Sequence, residues 1–382
     1  MANLKVDTIS GIGTEGPVLN GGLHFRSKNY LTLPKGTTAE RTATSSGIST
    51  VIGAIRYNTD SNKMECYVNN KWMIVSTSSP NLAQSGENAV GARAIIHMGY
   101  GPANKNTINA LNLSTGGTAI DFGNSTVSAR QQSSLANANR ALRAGGYSSS
   151  YLDTIDFVTI SSTGDATDFG NLTQGRGGAF GGLASATRGV FAGGYTGGPA
   201  TKYNIIDFIT IATTGNALDF GDLTATKSGT GTGAASPTRG IFFGGYTPNQ
   251  VNTIDFITIA TEGNAQDFGD CTTTVRTGSG ASNATRALYM GGQRSPESDS
   301  NVIEFVTIAT TGDAIDFGDL DSDSDMGASA ASSTRAIHQR ALGSSTNICA
   351  VNIATQGDAV DFGDTSESSA QTSGCSNAHG GL

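Results

Sequence analysis

Apolar residues in this chain fall in short runs of strand length, and Gly, Ser and Thr interrupt every window in which a helical period could develop. From Arg239 onward the runs are Arg239 to Gly245, Thr253 to Ala260, Asn264 to Thr272 and Gly278 to Thr285, bounded by turn-forming residues. The pattern predicts four short strands. In the second of them Ile254, Phe256, Ile257 and Ile259 place apolar groups on both faces, so the strand must be covered on both sides.

The same unit begins at Arg93, Arg140, Arg188, Arg239, Arg286 and Arg335, with successive starts 47, 48, 51, 47 and 49 residues apart. A period near 50 indicates blades or solenoid coils. Four strands per unit, covered on both faces and with Gly-Gly pairs that allow close approach, fit a six-bladed β-propeller spanning residues 87–382. The expected fold class is all-β.

Residues 1–80 read differently. Ala54 to Asn58, a polar turn, Met64 to Val68 and Trp72 to Val75 predict a small β meander, preceded by extended pieces at Pro17 to Gly22 and Leu31 to Gly36 with little to build a core. A segment so poor in burial is expected to be ordered by self-association or by docking on a partner. Residues 76–86 have linker composition, which leaves 81–86 between the two domains.

Composition narrows the function classes. Residues 1–86 carry eight Lys/Arg against five Asp/Glu, net +3, and residues 87–382 carry 15 against 26, net −11. So acidic a propeller is a poor partner for nucleic acid. No apolar run approaches the roughly 18 residues that cross a bilayer, so no membrane insertion is expected. The amino-terminal residues lack the apolar stretch of a signal peptide, so conventional secretion is not expected either. The four cysteines show no Cys-x-x-Cys spacing. Cys271 takes a slot held elsewhere by Leu172, Leu223 and Leu320, Cys375 the slot of Ala281, and Cys349 that of Asp255. No cofactor and no zinc site are expected.

Several motifs invite catalytic readings that the pattern does not support. Asp-Phe-Gly occurs six times without the kinase loops that give it meaning, and reads as a strand repeat. The six repeat-initial arginines are expected to contact acidic groups or backbone around the ring. His24, His97, His338 and His379 occupy unrelated repeat positions and complete no Ser/His/Asp set. The run Asp321-Ser-Asp323-Ser-Asp325 offers alternating carboxylates as a calcium loop does, but Met326 stands where the tight-turn Gly belongs and no Glu follows at the twelfth place. It is a weak cation candidate, with a solvated loop as the default.

Strand parity locates a binding surface. The connections between the first and second strands, and between the third and fourth, emerge on one face, and these vary in length and chemistry: 101–106, 148–153, 196–204, 247–252, 293–301 and 343–347, with 321–326 beside them. The opposite face carries near-invariant Thr-x-Gly turns and Thr-Arg junctions. Variable loops on a rigid scaffold are where recognition is usually placed. Tyr151, Tyr203, Asn249 and Arg294 supply flat and hydrogen-bonding groups suited to a glycan.

Asp7 to Val18, the segment Tyr30-Leu-Thr-Leu-Pro-Lys-Gly-Thr-Thr38, and the Gly-Gly-Tyr, Thr-Ile-Asp-Phe and Asp-Phe-Gly-Asp-Leu-Thr repeats resemble tail-fibre and other virion structural proteins of cyanobacterial myophages; Gly53 to Trp72 is similar to a hairpin module of phage tail fibres. The resemblance covers nearly the whole chain. It implies a virion component, with an attachment part followed by a kelch-like propeller. Residues 1–80, poor in core, are expected to self-associate, with a trimer favoured, or to dock on another virion protein of the phage tail or particle surface, and the propeller is expected to bind host-surface glycan or protein. Two alternatives stay open: a depolymerase or glycosidase acting on host glycan, and a purely structural decoration. The first and last repeats depart from the pattern together. Ala110 and Ala350 replace the core Phe, Asn112 and Asn352 the strand Thr, and Met98-Gly99 and Arg340-Ala341 the Gly-Gly pair, as expected of repeats that meet at a seam.

Overall fold

The computed structural model describes residues 33–41, 54–61, 63–68, 71–74, 92–178, 181–197, 201–229, 233–296, 298–343 and 345–382. They are all-β, apart from a single 3-10 turn at Ala39–Arg41. The chain divides into two compact units, Met1–Ser79 and Pro80–Leu382.

In the first unit Ile55–Asn58, Lys63–Val68 and Lys71–Ile74 form the antiparallel meander, and Lys35–Gly36 pairs in parallel with its edge. One face packs Tyr67 against Trp72 at 5.4 Å and buries Glu65, which takes hydrogen bonds from Arg41 and Asn58. The alternate positions, Ile55, Tyr57, Val68 and Met73, are exposed. The expected extended piece at Pro17 to Gly22 lies outside the described residues.

The described residues of the second unit form six four-stranded antiparallel arrays, one per sequence repeat but offset from it by one strand. The strand Ser279–Ser282, expected to end the unit begun at Arg239, pairs instead with Arg286–Met290 and opens the following sheet. Sheet five is thus Ser279–Ser282, Arg286–Met290, Ser298–Thr307 and Ile315–Ser324. The offset leaves a strand over at the end of the last repeat. Ser373–Ser376 pairs with Arg93–His97 and completes sheet one with Lys105–Asn112 and Ile120–Ala129. The short strand Gln293–Arg294 also pairs with the fourth strand of sheet four, fusing sheets four and five.

Apolar cores lie between sheets, which is why the third strand of each is apolar on both faces. Leu142, Ile155 and Phe169 of sheet two meet Phe191, Ile209 and Ile211 of sheet three. Ile337 and Ile348 of sheet six meet Ile96 and Leu111 of sheet one. Six such clusters join the sheets in cyclic succession. The first strands of all six line one narrow cavity of about 40 Å3, walled by small residues such as Ala136, Gly182, Ala235, Ala281, Ala330 and Gly374.

Two repeated contacts show what the motifs do. Each repeat-initial Arg donates from Nη1 to a main-chain carbonyl of the next sheet: Arg93 to Ile160, Arg140 to Ile211, Arg188 to Ile259, Arg239 to Ile308, Arg286 to Ile353, and Arg335 back to Leu113. Each also lies over a Phe of its own sheet, as Arg188 does over Phe208 at 4.4 Å. The Asp-Phe-Gly motif forms a bulge. Ile254 pairs with Gly269 and Asp255 with Asp267, so Phe268 is the extra residue and points into the core. Gly269 has φ 147°, and a Cβ there would lie 2.5 Å from the Gly312 carbonyl of the next sheet. Glycine is required by both conformation and space.

Candidate functional site

The side of the second unit that carries the long loops is built around a repeated backbone device. At each passage from a fourth strand to the next first strand one residue takes a left-handed φ: Gln131 (57°), Gly178 (92°), Gly229 (65°), Thr277 (60°), Met326 (52°) and Gln371 (55°). Main-chain hydrogen bonds link them in series. Gly229 N donates to Gly178 O at 2.9 Å, Thr277 N to Gly229 O at 2.6 Å, Met326 N to Thr277 O at 2.9 Å, and Gln131 N to Gln371 O at 3.3 Å. The residue after each Gly-Gly pair bridges to the same connections, as Tyr147 does to Arg130, Tyr195 to Gly177 and Tyr246 to Ser228. Tyrosines therefore recur at one radius of this side because the backbone places them there.

Their side chains form an arc. Arg130 lies over Tyr100 at 4.9 Å and over Tyr147 at 5.3 Å. Tyr147 meets Tyr151 edge-on at 5.1 Å, and Tyr151 meets Tyr195 at 5.5 Å. Burial, with Tyr195 and Tyr147 nearby, pushes the Tyr151 hydroxyl up to about 12, so it is a neutral hydrogen-bonding group at physiological pH. Beyond Tyr195 the arc opens into a cleft of about 370 Å3. Tyr246 lies within it, with Lys202 Nζ at 4.6 Å and the Arg276 guanidinium at 4.7 Å from its ring centre. Arg276 Nε donates to Gln293 Oε1 at 2.8 Å. Asp325 closes the far wall and accepts from Thr277 Oγ1. Its carboxyl is pushed up to about 6 by burial, with Asp299 adding to the rise and the Thr277 bond and Arg276 opposing it.

The sequence-derived candidates divide among different environments. Tyr151 belongs to the arc. Tyr203 follows Lys202 on one strand, and its hydroxyl is bonded to Thr196 Oγ1 at 2.8 Å. Asn249 is exposed at the tip of the Thr247–Asn249 hairpin, outside the cleft lining. Arg294 is corrected: its side chain is buried, 3.4 Å from Glu304, and acts inside the fold instead of on the surface. The acidic run, read as a solvated loop and a weak cation candidate, lies mostly on a strand. Asp321 and Asp323 are exposed on the fourth strand of sheet five, whereas Asp325 turns into the cleft, so the three do not converge. Among the described residues no group of three or more His, Cys, Asp or Glu is placed to hold a metal ion. Met326 occupies a backbone position taken by Gly178 and Gly229 in other repeats.

Sequence reasoning missed Lys202, Tyr246 and Arg276, and singled out Asp325 only for a cation. The signal was present in the repeated Gly-Gly-Tyr, yet the two cations come from different repeat positions and meet only because neighbouring sheets share the cleft. It also missed a buried slot on the third strand, filled by Asp156, Asp207, Asp255 and Glu304. Each acid is neutralised from a different place: by Arg143 at 2.8 Å, Arg176 at 2.9 Å, Lys227 at 2.9 Å and Arg294 at 3.4 Å. A Thr from the preceding sheet also bonds each carboxylate, at 2.7 Å for Thr126, 2.5 Å for Thr173, 2.6 Å for Thr224 and 2.6 Å for Thr272. The threonine bonds hold sheet to sheet, and the buried pairs offer no open position for a substrate.

No family model matches the chain, and no curated protein matches it.

Proposed function

We propose that the second unit is a six-bladed, kelch-like β-propeller and that the protein is a non-enzymatic virion structural component, a tail fibre or tail-associated protein whose propeller binds the host surface or another virion protein. Support for the propeller comes from the cyclic set of arginine–carbonyl bonds, which returns from Arg335 to Leu113, and from the pairing of Ser373–Ser376 with Arg93–His97. The single observation that carries the binding role is the arc of tyrosines with Arg130, Lys202 and Arg276 on the loop side. Aromatic rings and arginines are the side chains most enriched at recognition surfaces. The virion assignment rests on the resemblance of residues 7–18, 30–38 and the repeats.

On this reading residues 1–80 attach the protein to the particle, with self-association as a trimer the favoured arrangement. The exposed apolar face of the meander, Ile55, Tyr57, Val68 and Met73, suits such a contact.

The test is adsorption of the fluorescently labelled full chain to cyanobacterial cells. Wild type should be retained, and Tyr147→Ala combined with Tyr246→Ala should reduce retention at least about tenfold without changing the thermal melt. Equal retention by both proteins would remove the loop side from the account. Reducing sugar released from host polysaccharide by the purified chain would replace the proposal with a depolymerase.

A further inference from the structure

We propose that the cleft between Tyr195, Tyr246 and Asp325 is a subsite for a carboxylate-bearing sugar, with Lys202 and Arg276 holding the carboxylate. The inference deepens the host-recognition reading and rests on it.

Charge is the first ground. Around the cleft a unit of net −11 gathers two cations, Lys202 and Arg276, on one tyrosine ring, and among the described residues Asp325 is the one acidic residue in the cleft lining. Among the described residues Lys202 Nζ has no hydrogen-bond or ion-pair partner; its contact is the face of Tyr246. Arg276 donates from Nε to Gln293, and among the described residues its terminal nitrogens make no hydrogen bond or ion pair, so the fork can meet a planar carboxylate with two parallel donors. Such a pair of cations attracts an anion in a recess where field lines are focused.

Shape and polarity are the second. A volume of about 370 Å3 lies in the range of small-ligand sites, roughly 300–1,000 Å3. Tyr195 lines the cleft with an aromatic ring suited to the C–H face of a pyranose, and Ser228 brings a hydroxyl, while Thr277 and Gln293 hold Asp325 and Arg276 in place. The arc running from the cleft through Tyr195, Tyr151 and Tyr147 continues as a row of rings and ends on a further cation, Arg130. An acidic sugar in a longer glycan would place its neighbours along it. The carboxyl of Asp325, facing Arg276, Asp299 and Thr277, is neutral below about pH 6, which further favours an anion there at mildly acidic pH.

The test applies the full-length chain to immobilised hexuronate- and ulosonate-containing oligosaccharides, each beside its own methyl ester, which keeps the sugar and removes the charge. Wild type should be retained on at least one acidic glycan at least about tenfold more tightly than on its ester. Lys202→Met and Arg276→Met, checked for unchanged thermal melts, should each abolish the difference. Equal retention on acid and ester, or retention that both variants leave intact, overturns the carboxylate assignment while leaving surface recognition in place. Retention on none of the acidic glycans also overturns it, and the adsorption experiment then decides recognition separately.

Discussion

Asp207 is fully buried between two sheets, 2.9 Å from Arg176 and bonded to Thr173 Oγ1 at 2.5 Å. A buried pair of this kind adds little net stability over a well-packed apolar pair, but removing one partner strands the other. Asp207→Ala should therefore cost about 3–5 kcal/mol in urea unfolding. The double variant Arg176→Met, Asp207→Asn should cost less than that single change; the slot already holds Cys349 in sheet six without a charge. Titration separates two other groups, half-buried Asp325 and buried His338. The Asp325 carboxyl ionises near pH 6 in the folded chain against an ordinary value of 3.8, so the native state binds more protons between those values and stability falls as pH rises through the window. Asp325→Asn should match wild type below pH 4 and melt higher above pH 6. His338 has the opposite sign. Burial lowers it from 6.5 to about 4, with both ring nitrogens bonded to Ser279 and Ser324, so stability is lost as pH falls from about 6.5 toward 4. His338→Gln should flatten that acid limb in melts taken from pH 7 to pH 4.

At the scale of the element, the strand runs, the meander and the third strand apolar on both faces were all legible, because hydrophobic period and turn chemistry are local. The assignment of strands to sheets was not. Ser279–Ser282 is joined by a short turn to Arg286–Met290, and nothing in its small residues marks it as the start of one sheet instead of the end of another. The variable face survived that offset, because shifting every sheet by one strand keeps the same connections on the same side. Arg294 failed for a related reason: loop position suggested exposure, but Gln293–Arg294 is a short strand that turns the guanidinium toward Glu304. The Asp-Phe-Gly bulge supplies a test with an internal control. Gly263 and Gly269 have nearly the same φ, 149° and 147°, but a Cβ at Gly263 meets nothing within 4 Å, whereas at Gly269 it meets the Gly312 carbonyl at 2.5 Å. Gly263→Ala should cost about 1–3 kcal/mol for backbone strain alone. Gly269→Ala should cost clearly more, read by the same denaturant titration.

For the whole molecule, period and composition announced a repeat protein, and the departures at both ends marked the repeats that meet. How they meet depends on a pairing across nearly the full length of the second unit, between Ser373–Ser376 and Arg93–His97, which no local pattern encodes. The cleft was hidden for the same reason, since Lys202, Tyr246 and Arg276 come from sheets three and four and converge only when those sheets are set side by side. The division of labour between units predicts that a chain beginning at residue 87 stays folded and monomeric in analytical ultracentrifugation, whereas the full chain self-associates. The claim on which the rest depends is closure. A density map of residues 87–382 at a resolution that separates strands should show six four-stranded spokes around a narrow axis, with Ser373–Ser376 as the innermost strand of the spoke that contains Arg93–His97. An open arc, a stack of coils with its two ends apart, or a first spoke lacking that strand would contradict it.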